Sequence, residues 1–448
     1  MDTLITIGQL VLSLSILIVL HEFGHFLPAR LFGTRVEKFY LFFDPGFSLF
    51  KKQIGETEYG IGWLPLGGYV KISGMIDESF DTEQMESEPQ SWEFRSKPAW
   101  QRLIIMLGGV TVNFILGFLI YAMVLFVYGE EYYPAKNITA GIATDSLAQE
   151  IGLRNGDHIL KVGDTDFDRF NYKAVLRGIA IDNAREITVR RDGQQQVIPI
   201  ENKWADILTR HENKNTQLFI PRMPFVVGKP GPIGKDAGLD KEDRIVSVNG
   251  TTTEFFDQYK AAIKGKKNET ITLGVKAKGS EAIREVPITL DENSRMYVVP
   301  AGPDYFYETE RTEYGFVESF PAGYKQGVNF LGDQFKAFGE MFKGNIKVSE
   351  SLGGFASIGS MFGTEWIWER FWYMTASLSL ILAFMNLLPI PALDGGHVMF
   401  LLYEVVTGRK PSDKFMERAT MVGFVIVLGL VLYANGLDVW RFIRGWFV

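Results

Sequence analysis

Four stretches of this chain carry no charged residue over a length that can cross a bilayer, which takes about 20 apolar residues. The first runs from Thr3 to Leu20, the second lies between Arg102 and Glu130, the third between Arg370 and Asp394, and the fourth between Arg418 and Asp438. Each is flanked by charge, which argues for four membrane spans over four buried core helices. Across all 448 residues, hydrophobic side chains make up 46% and charged ones 22%, so the spans must be combined with water-exposed parts. The net charge of −7 gives no basic stripe for nucleic acid, and no nucleic-acid partner is expected. Without cysteine, disulfides and thiolate metal sites are excluded. Met1-Asp2-Thr3 lack a basic leader and no small-residue cleavage site follows, so no secretory signal is expected.

Lys and Arg are in excess on the cytoplasmic side of membrane proteins. Arg30, Arg35, Lys38, Arg95, Lys97, Arg102, Arg409, Lys410, Lys414 and Arg418 fall on one side of the four-span arrangement, and only Lys136, Arg370, Arg441 and Arg444 near the span ends on the other. Both termini, and the segment from about 129 to 369, are therefore expected outside the cytoplasm.

The first span runs into His21-Glu22-Phe23-Gly24-His25. HExxH puts two imidazoles one helical turn apart on one face, where both can bind one Zn²⁺. Glu22 is then free to act as general base for a water and to shuttle its proton to a leaving amine. Ionisable groups beside so long an apolar run are costly in a bilayer and point to function. A zinc site needs a third protein ligand. His158 and His211 fall in the extracytoplasmic segment, on the wrong side. The first and third spans both run inward, one ending at His25 and the other at Asp394, so topology favours Asp394 over the nearby His397. Pro389 and Pro391 break the helix there, which a membrane protein tolerates beside a cavity or a protein neighbour.

HExxH in a first span together with Asn386-Leu387-Leu388-Pro389-Ile390-Pro391-Ala392-Leu393-Asp394-Gly395 resembles the joint signature of site-2 proteases. The wider match resembles the RseP-type regulated intramembrane proteases of Gram-negative bacteria, through Phe94–Arg102, Gly109, Asn113-Phe114 and Pro65–Lys71. The chain departs from that pattern at Gly109-Val110 and Gly354-Phe355, where the family usually has Gly-Pro. The resemblance implies zinc on His21, His25 and Asp394, Glu22 as base, and Asn386 holding the substrate or polarising its carbonyl. It also implies a multi-pass protein of the bacterial inner membrane with its active site near the cytoplasmic side. Its substrates would be single-span membrane proteins, such as an anti-sigma factor in envelope-stress signalling or a remnant signal peptide, met among membrane lipid.

A repeat lies between the second and third spans. Gly152-Leu153-Arg154-Asn155-Gly156-Asp157 is echoed by Gly238-Leu239-Asp240-Lys241-Glu242-Asp243, each followed by a strand, a helical stretch and alternating strands. The pattern resembles circularly permuted PDZ domains, which accept peptides by strand addition; a size filter against bulky substrates is the fuller expectation for the pair. Glu242 replaces the usual glycine. Val328, Leu331, Phe335, Phe338 and Phe342 recur at helical spacing, an amphipathic helix for the outer interface or for packing under the modules.

Gly60 to Ile72 alternates like a strand with glycine turns and is expected to be a β-hairpin dipping to the active site, with Gly67, Gly68 and Tyr69 meeting an unwound substrate. The expected fold is therefore four transmembrane helices with a cytoplasmic-side β-hairpin, plus two extracytoplasmic α+β PDZ-like domains. The segments are 1–128, 129–215, 216–303, 304–370 and 371–448. An inactive scaffold presenting PDZ modules would not need Glu22. A transporter would have no role for HExxH and finds no second inverted repeat here.

Overall fold

The computed structural model describes residues 2–65, 67–75, 88–213 and 216–444. The chain divides into two units. One comprises 1–129, 313–335 and 352–448, the other 130–312 and 336–351.

In the first unit, helix α1 covers Asp2–Leu31 and carries HEFGH in its last third. It ends where Gly33 takes a left-handed conformation (φ 66°) and the Thr34 amide returns to the Ala29 carbonyl at 2.8 Å. Four strands follow, β1 Val36–Leu41, β2 Phe43–Ile54, β3 Thr57–Leu64 and β4 Tyr69–Ile72. Helix α2, Ala99–Tyr128, stops at Gly129 (φ 67°), whose amide bonds to the Leu125 carbonyl.

The sheet corrects the expected hairpin. Its order is β2-β3-β1-β4, so β3 and β4 are separated by β1, parallel to β3 and antiparallel to β4. The hairpin is instead β2–β3, turning at Gly55 (φ 62°), with register shifts between Phe43 and Phe50 that hide its alternation from the sequence. Gly60 and Gly62 are not turns. Both lie inside β3, where a Cβ on Gly60 would enter the Tyr40 ring and one on Gly62 would meet the Phe43 carbonyl. Tyr40 is fully buried across the sheet, stacked on Tyr69 at 5.2 Å, with its hydroxyl donating to Glu58 at 2.7 Å.

The second unit opens with β5 Glu130–Tyr132, β6 Ile142–Thr144 and α3 Ser146–Ile151. Then come β7 His158–Val162, β8 Thr165–Asp166, α4 Tyr172–Ala180, β9 Glu186–Arg191, β10 Gln194–Pro199, α5 Lys203–Thr209 and β11 Phe219–Pro221. The repeat follows as β12 Phe225–Lys229, α6 Gly231–Asp236, β13 Arg244–Val248, β14 Thr251–Thr252, α7 Phe256–Ile263, β15 Thr270–Lys276, β16 Ile283–Thr289 and β17 Val299–Pro300. β18, Glu310–Thr312, pairs with β5. The sheets β10-β9-β7-β8 and β16-β15-β13-β12-β17 enclose separate cores. Ile159, Val175, Ile187 and Trp204 fill one, and Ile245, Tyr259, Ile271 and Leu273 the other. β11 pairs with β6, so residues 219–221 complete the first module, beyond the expected boundary at 215.

Both modules share one buried device. Asp157 accepts the Arg154 amide at 2.8 Å and two Arg191 nitrogens at 2.7 Å, while Arg191 also reaches the Gly152 carbonyl. Asp243 accepts the Asp240 amide at 3.0 Å and Arg284 at 2.5 Å, with Arg284 on the Gly238 carbonyl. Asp157 is completely buried.

Helix α8 spans Phe316–Phe342, α9 Val348–Ser351, α10 Phe355–Ser360, α11 Trp368–Asn386, α12 Asp394–Thr407 and α13 Asp413–Arg444. The amphipathic expectation falls on α8, where Leu331 packs with Val124 and Leu380. By length and composition, three helices among the described residues can cross a membrane: Thr3–Leu31, Ala99–Tyr128 and Lys414–Arg444. The third expected span does not reach Asp394 as one helix, because α11 ends at Asn386 and Asp394 begins α12.

Asp157→Ala should strand the Arg191 guanidinium and cost the first module about 3–5 kcal/mol, the usual loss on breaking a buried pair. Amide hydrogen exchange along β7 and β9 checks this, with β13 and β15 as the unaffected internal reference.

Candidate active site

All of the site's residues lie in the first unit. α1 and α2 cross where glycines remove every side chain between their backbones. A Cβ on Gly24 would lie 2.7 Å from the Gly108 carbonyl carbon and 2.8 Å from Gly109 Cα, and one on Gly108 would strike the Gly24 carbonyl. The histidines flank this crossing. His25 Nδ1 donates to the Ile105 carbonyl at 2.8 Å, which leaves Nε2 with its lone pair. His21 Nδ1 lies 3.2 Å from the Asn113 amide. Gly109 sits between, so close that a Cβ would approach His21 Cε1 to 2.6 Å.

The third group arrives from a separate helix. After α11, residues 387–393 turn back, with the Ile390 amide on Leu388, Leu393 on Ile390 and Gly396 on Leu393. Gly395 and Gly396 press against this turn, and a Cβ on Gly396 would lie 2.5 Å from the Ile390 carbonyl. The two glycines after Asp394 are thus packing requirements. The Arg102–Glu404 ion pair, 2.5 Å and almost buried, ties α12 to α2.

Three candidate ligand atoms result. His21 Nε2 and His25 Nε2 are 3.3 Å apart and lie 3.3 and 3.4 Å from Asp394 Oδ2. That oxygen is buried and has no hydrogen-bond partner. A tetrahedral cation with bonds of about 2.0–2.1 Å separates its ligand atoms by about 3.3–3.4 Å. Three such atoms at that spacing fit a metal ion, and with their lone pairs turned inward they repel without one. His21, His25 and Asp394 are a candidate metal group among the described residues.

Around them, Asn386 Nδ2 approaches His21 Nε2 at 3.3 Å from the end of α11. Glu22 is half-buried on α1, and Gly68 packs at its side, a Cβ there lying 3.4 Å from Glu22 Cγ. Gly68 therefore brings the start of β4 to the site. Gly67 instead covers the Phe43 ring, and the Tyr69 hydroxyl donates to Asp44 at 2.9 Å, so these two side positions serve the sheet. His397 sits one turn along α12 beside Phe400 and outside the metal group. His158 lies on β7 of the other unit, and the His211 side chain is outside the described residues. The Ile105 carbonyl leaves no mark in a sequence. Gly109 and Asn113 do, as a small and a polar residue facing one way in an apolar helix, yet only resemblance singles them out.

Gly109→Ala should weaken metal binding at least about tenfold, the scale on which disturbed ligand orientation acts. Gly429→Ala on α13, whose methyl would meet nothing within 4 Å, should not. Chelator competition on the purified chain compares the two.

The model of peptidase family M50 matches residues 9–430. The chain is similar to Protease RseP of Yersinia pestis, 27% identical over 97% of this chain and 98% of that one. It is likewise similar to the regulator of sigma-E protease RseP of Escherichia coli strain K12, 27% identical over 95% and 97%. A putative zinc metalloprotease of Vibrio cholerae is 28% identical over 95% and 96%. With its family model spanning nearly the whole sequence and the candidate metal-binding triangle inside that span, this chain belongs to peptidase family M50, the site-2 proteases.

Proposed function

We propose that the chain is an intramembrane zinc metalloendopeptidase that cuts single-span membrane proteins within their transmembrane segments. One observation carries this reading: the His21–His25–Asp394 triangle has both its histidines on a helix apolar and long enough to cross a membrane, with Glu22 beside them. His21, His25 and Asp394 hold the zinc. When bound, the ion supplies the Lewis acidity that polarises the scissile carbonyl and makes water a nucleophile at neutral pH. Glu22 takes the proton from the attacking water and returns it to the leaving amine. The Asn386 amide donates to the oxyanion as charge develops there.

A substrate helix shields its peptide bonds in its own hydrogen bonds and must unwind. β4 offers the replacement partner, because it ends the strand order and begins beside Glu22. A substrate segment added to β4 keeps its backbone paired while it lies extended.

α11 is the fourth span. Its hydroxyls depress its apolar character, yet Thr375 bonds to Phe371 and Ser377 to Tyr373 within the helix, and Ser379 to the Asn113 carbonyl of α2. Satisfied in this way, they need not face lipid as free polar groups. The Lys and Arg bias places the α1–α2 connection on the cytoplasmic side of a bacterial inner membrane, and both termini and the two PDZ-like modules in the periplasm. Those modules filter substrates by the size of what remains outside, so anti-sigma-factor-type proteins already trimmed and remnant signal peptides are the substrates. The relatives' names, regulator of sigma-E protease among them, support that class.

Glu22→Gln should retain zinc and lower cleavage of a single-span test substrate by roughly 10²–10⁴-fold, the contribution of a positioned base. Retained cleavage would remove Glu22 from the mechanism. Chelation should abolish cleavage in the native chain, and zinc should restore it. Proline placed at Val70 or Lys71 should slow cleavage of a helical substrate without releasing zinc; unchanged rates would sink the strand-addition step.

A further inference from the structure

Antiparallel to α1, α2 presents residues 105, 109 and 113 along one face, at the spacing of successive helical turns. Ile105 meets His25, Gly109 leaves room for both rings, and Asn113 meets His21. The His25 half is unambiguous, since a carbonyl can only accept and the Nδ1 proton must point at Ile105. The His21 half turns on an amide. Asn113 is about 1% exposed, its Nδ2 is drawn toward His21 Nδ1 at 3.2 Å, and its Oδ1 is buried with no partner. An amide's nitrogen and oxygen are exchangeable by a half-turn and are assigned from the network around them.

With the NH₂ group toward His21, Nδ1 must accept. The ring proton then sits on Nε2, inside the triangle with Asp394 Oδ2 and His25 Nε2. With the oxygen toward His21, Nδ1 donates and Nε2 keeps its lone pair. The far side of the amide holds no hydrogen bond as an oxygen, so a half-turn loses nothing there and the His21 side decides. A second tie fixes the residue itself, since Ser379 Oγ of α11 donates to the Asn113 backbone carbonyl at 2.7 Å.

We infer that Asn113 is a positioning residue, whose side-chain oxygen accepts from His21 Nδ1 and thereby selects the tautomer that turns Nε2 to the metal. Asn113 does for His21 what the Ile105 carbonyl does for His25. A carboxamide in the middle of a membrane helix is costly, and this task accounts for it. The inference rests on the ligand set proposed above.

The test is zinc affinity of the full chain in detergent, by chelator competition. Asn113→Leu keeps the volume and removes the acceptor, and it should weaken zinc roughly 10–100-fold, as loss of an outer-shell partner does. Asn113→Asp keeps the acceptor and should stay within about threefold of the native chain on that scale. Native-like zinc affinity in Asn113→Leu overturns the inference, as does equal loss in both variants. If the native chain itself binds no zinc, the ligand set fails instead, which is a separate result. Should Asn113→Leu not fold, nitrogen NMR of the zinc-loaded native chain labelled at histidine decides without it. The resonance lost in His21→Gln should show a protonated Nδ1 and an unprotonated Nε2, and the reverse tautomer overturns the inference.

Discussion

Everything at the site depends on how closely two helix backbones approach. Lipid tails solvate leucine as well as another helix does, so burial alone does not drive membrane helices together, and close packing of small residues must. Gly24 against Gly108 and Gly109 supplies that packing, and the distance it sets is also the reach of the α2 groups that hold the histidine rings. A separation larger by one methyl group would take Ile105 and Asn113 away from them. Assembly of the helices and preparation of the ligands are one event.

The third candidate ligand requires the opposite treatment of the chain. Prolines and the 387–393 turn end α11, and Asp394 opens a new helix. Gly423 of α13 lets the turn lie close, a Cβ there meeting the Ala392 nitrogen at 2.7 Å. Arg102 and Glu404 anchor α12 farther along. A buried pair of this kind contributes little net stability once desolvation is counted, but it does fix register, and register is what a metal ligand needs.

How much of this was legible follows from how local each signal is. HEFGH declares itself because both histidines share one helix face, and Asp394 could be reached through the direction of the spans. The four-stranded sheet of the first unit was not readable. Its central pairing, β1 parallel to β3, joins residues separated by the whole of β2, and β2 conceals its strand period behind Asp44-Pro45-Gly46 and Lys51-Lys52. Gly60 looked like a turn because glycine usually signals freedom, whereas here it makes room for the Tyr40 ring. Asn113 was visible as a polar residue in an apolar run, but its partner lies ninety-two positions away.

The two modules of the second unit keep a buried carboxylate at the same place and answer it from different strands. His158 pairs with Arg190 as Arg244 pairs with Lys276, so the position matching Arg191 is Ala277, and the one matching Arg284 is Gln196. If the modules descend from a duplicated ancestor, neither arginine could move while the aspartate stayed unpaired. The least costly path between them then runs through a form with arginines on both strands. Divergence in such a pair is ordered by electrostatics, and the partner has to arrive before its predecessor leaves.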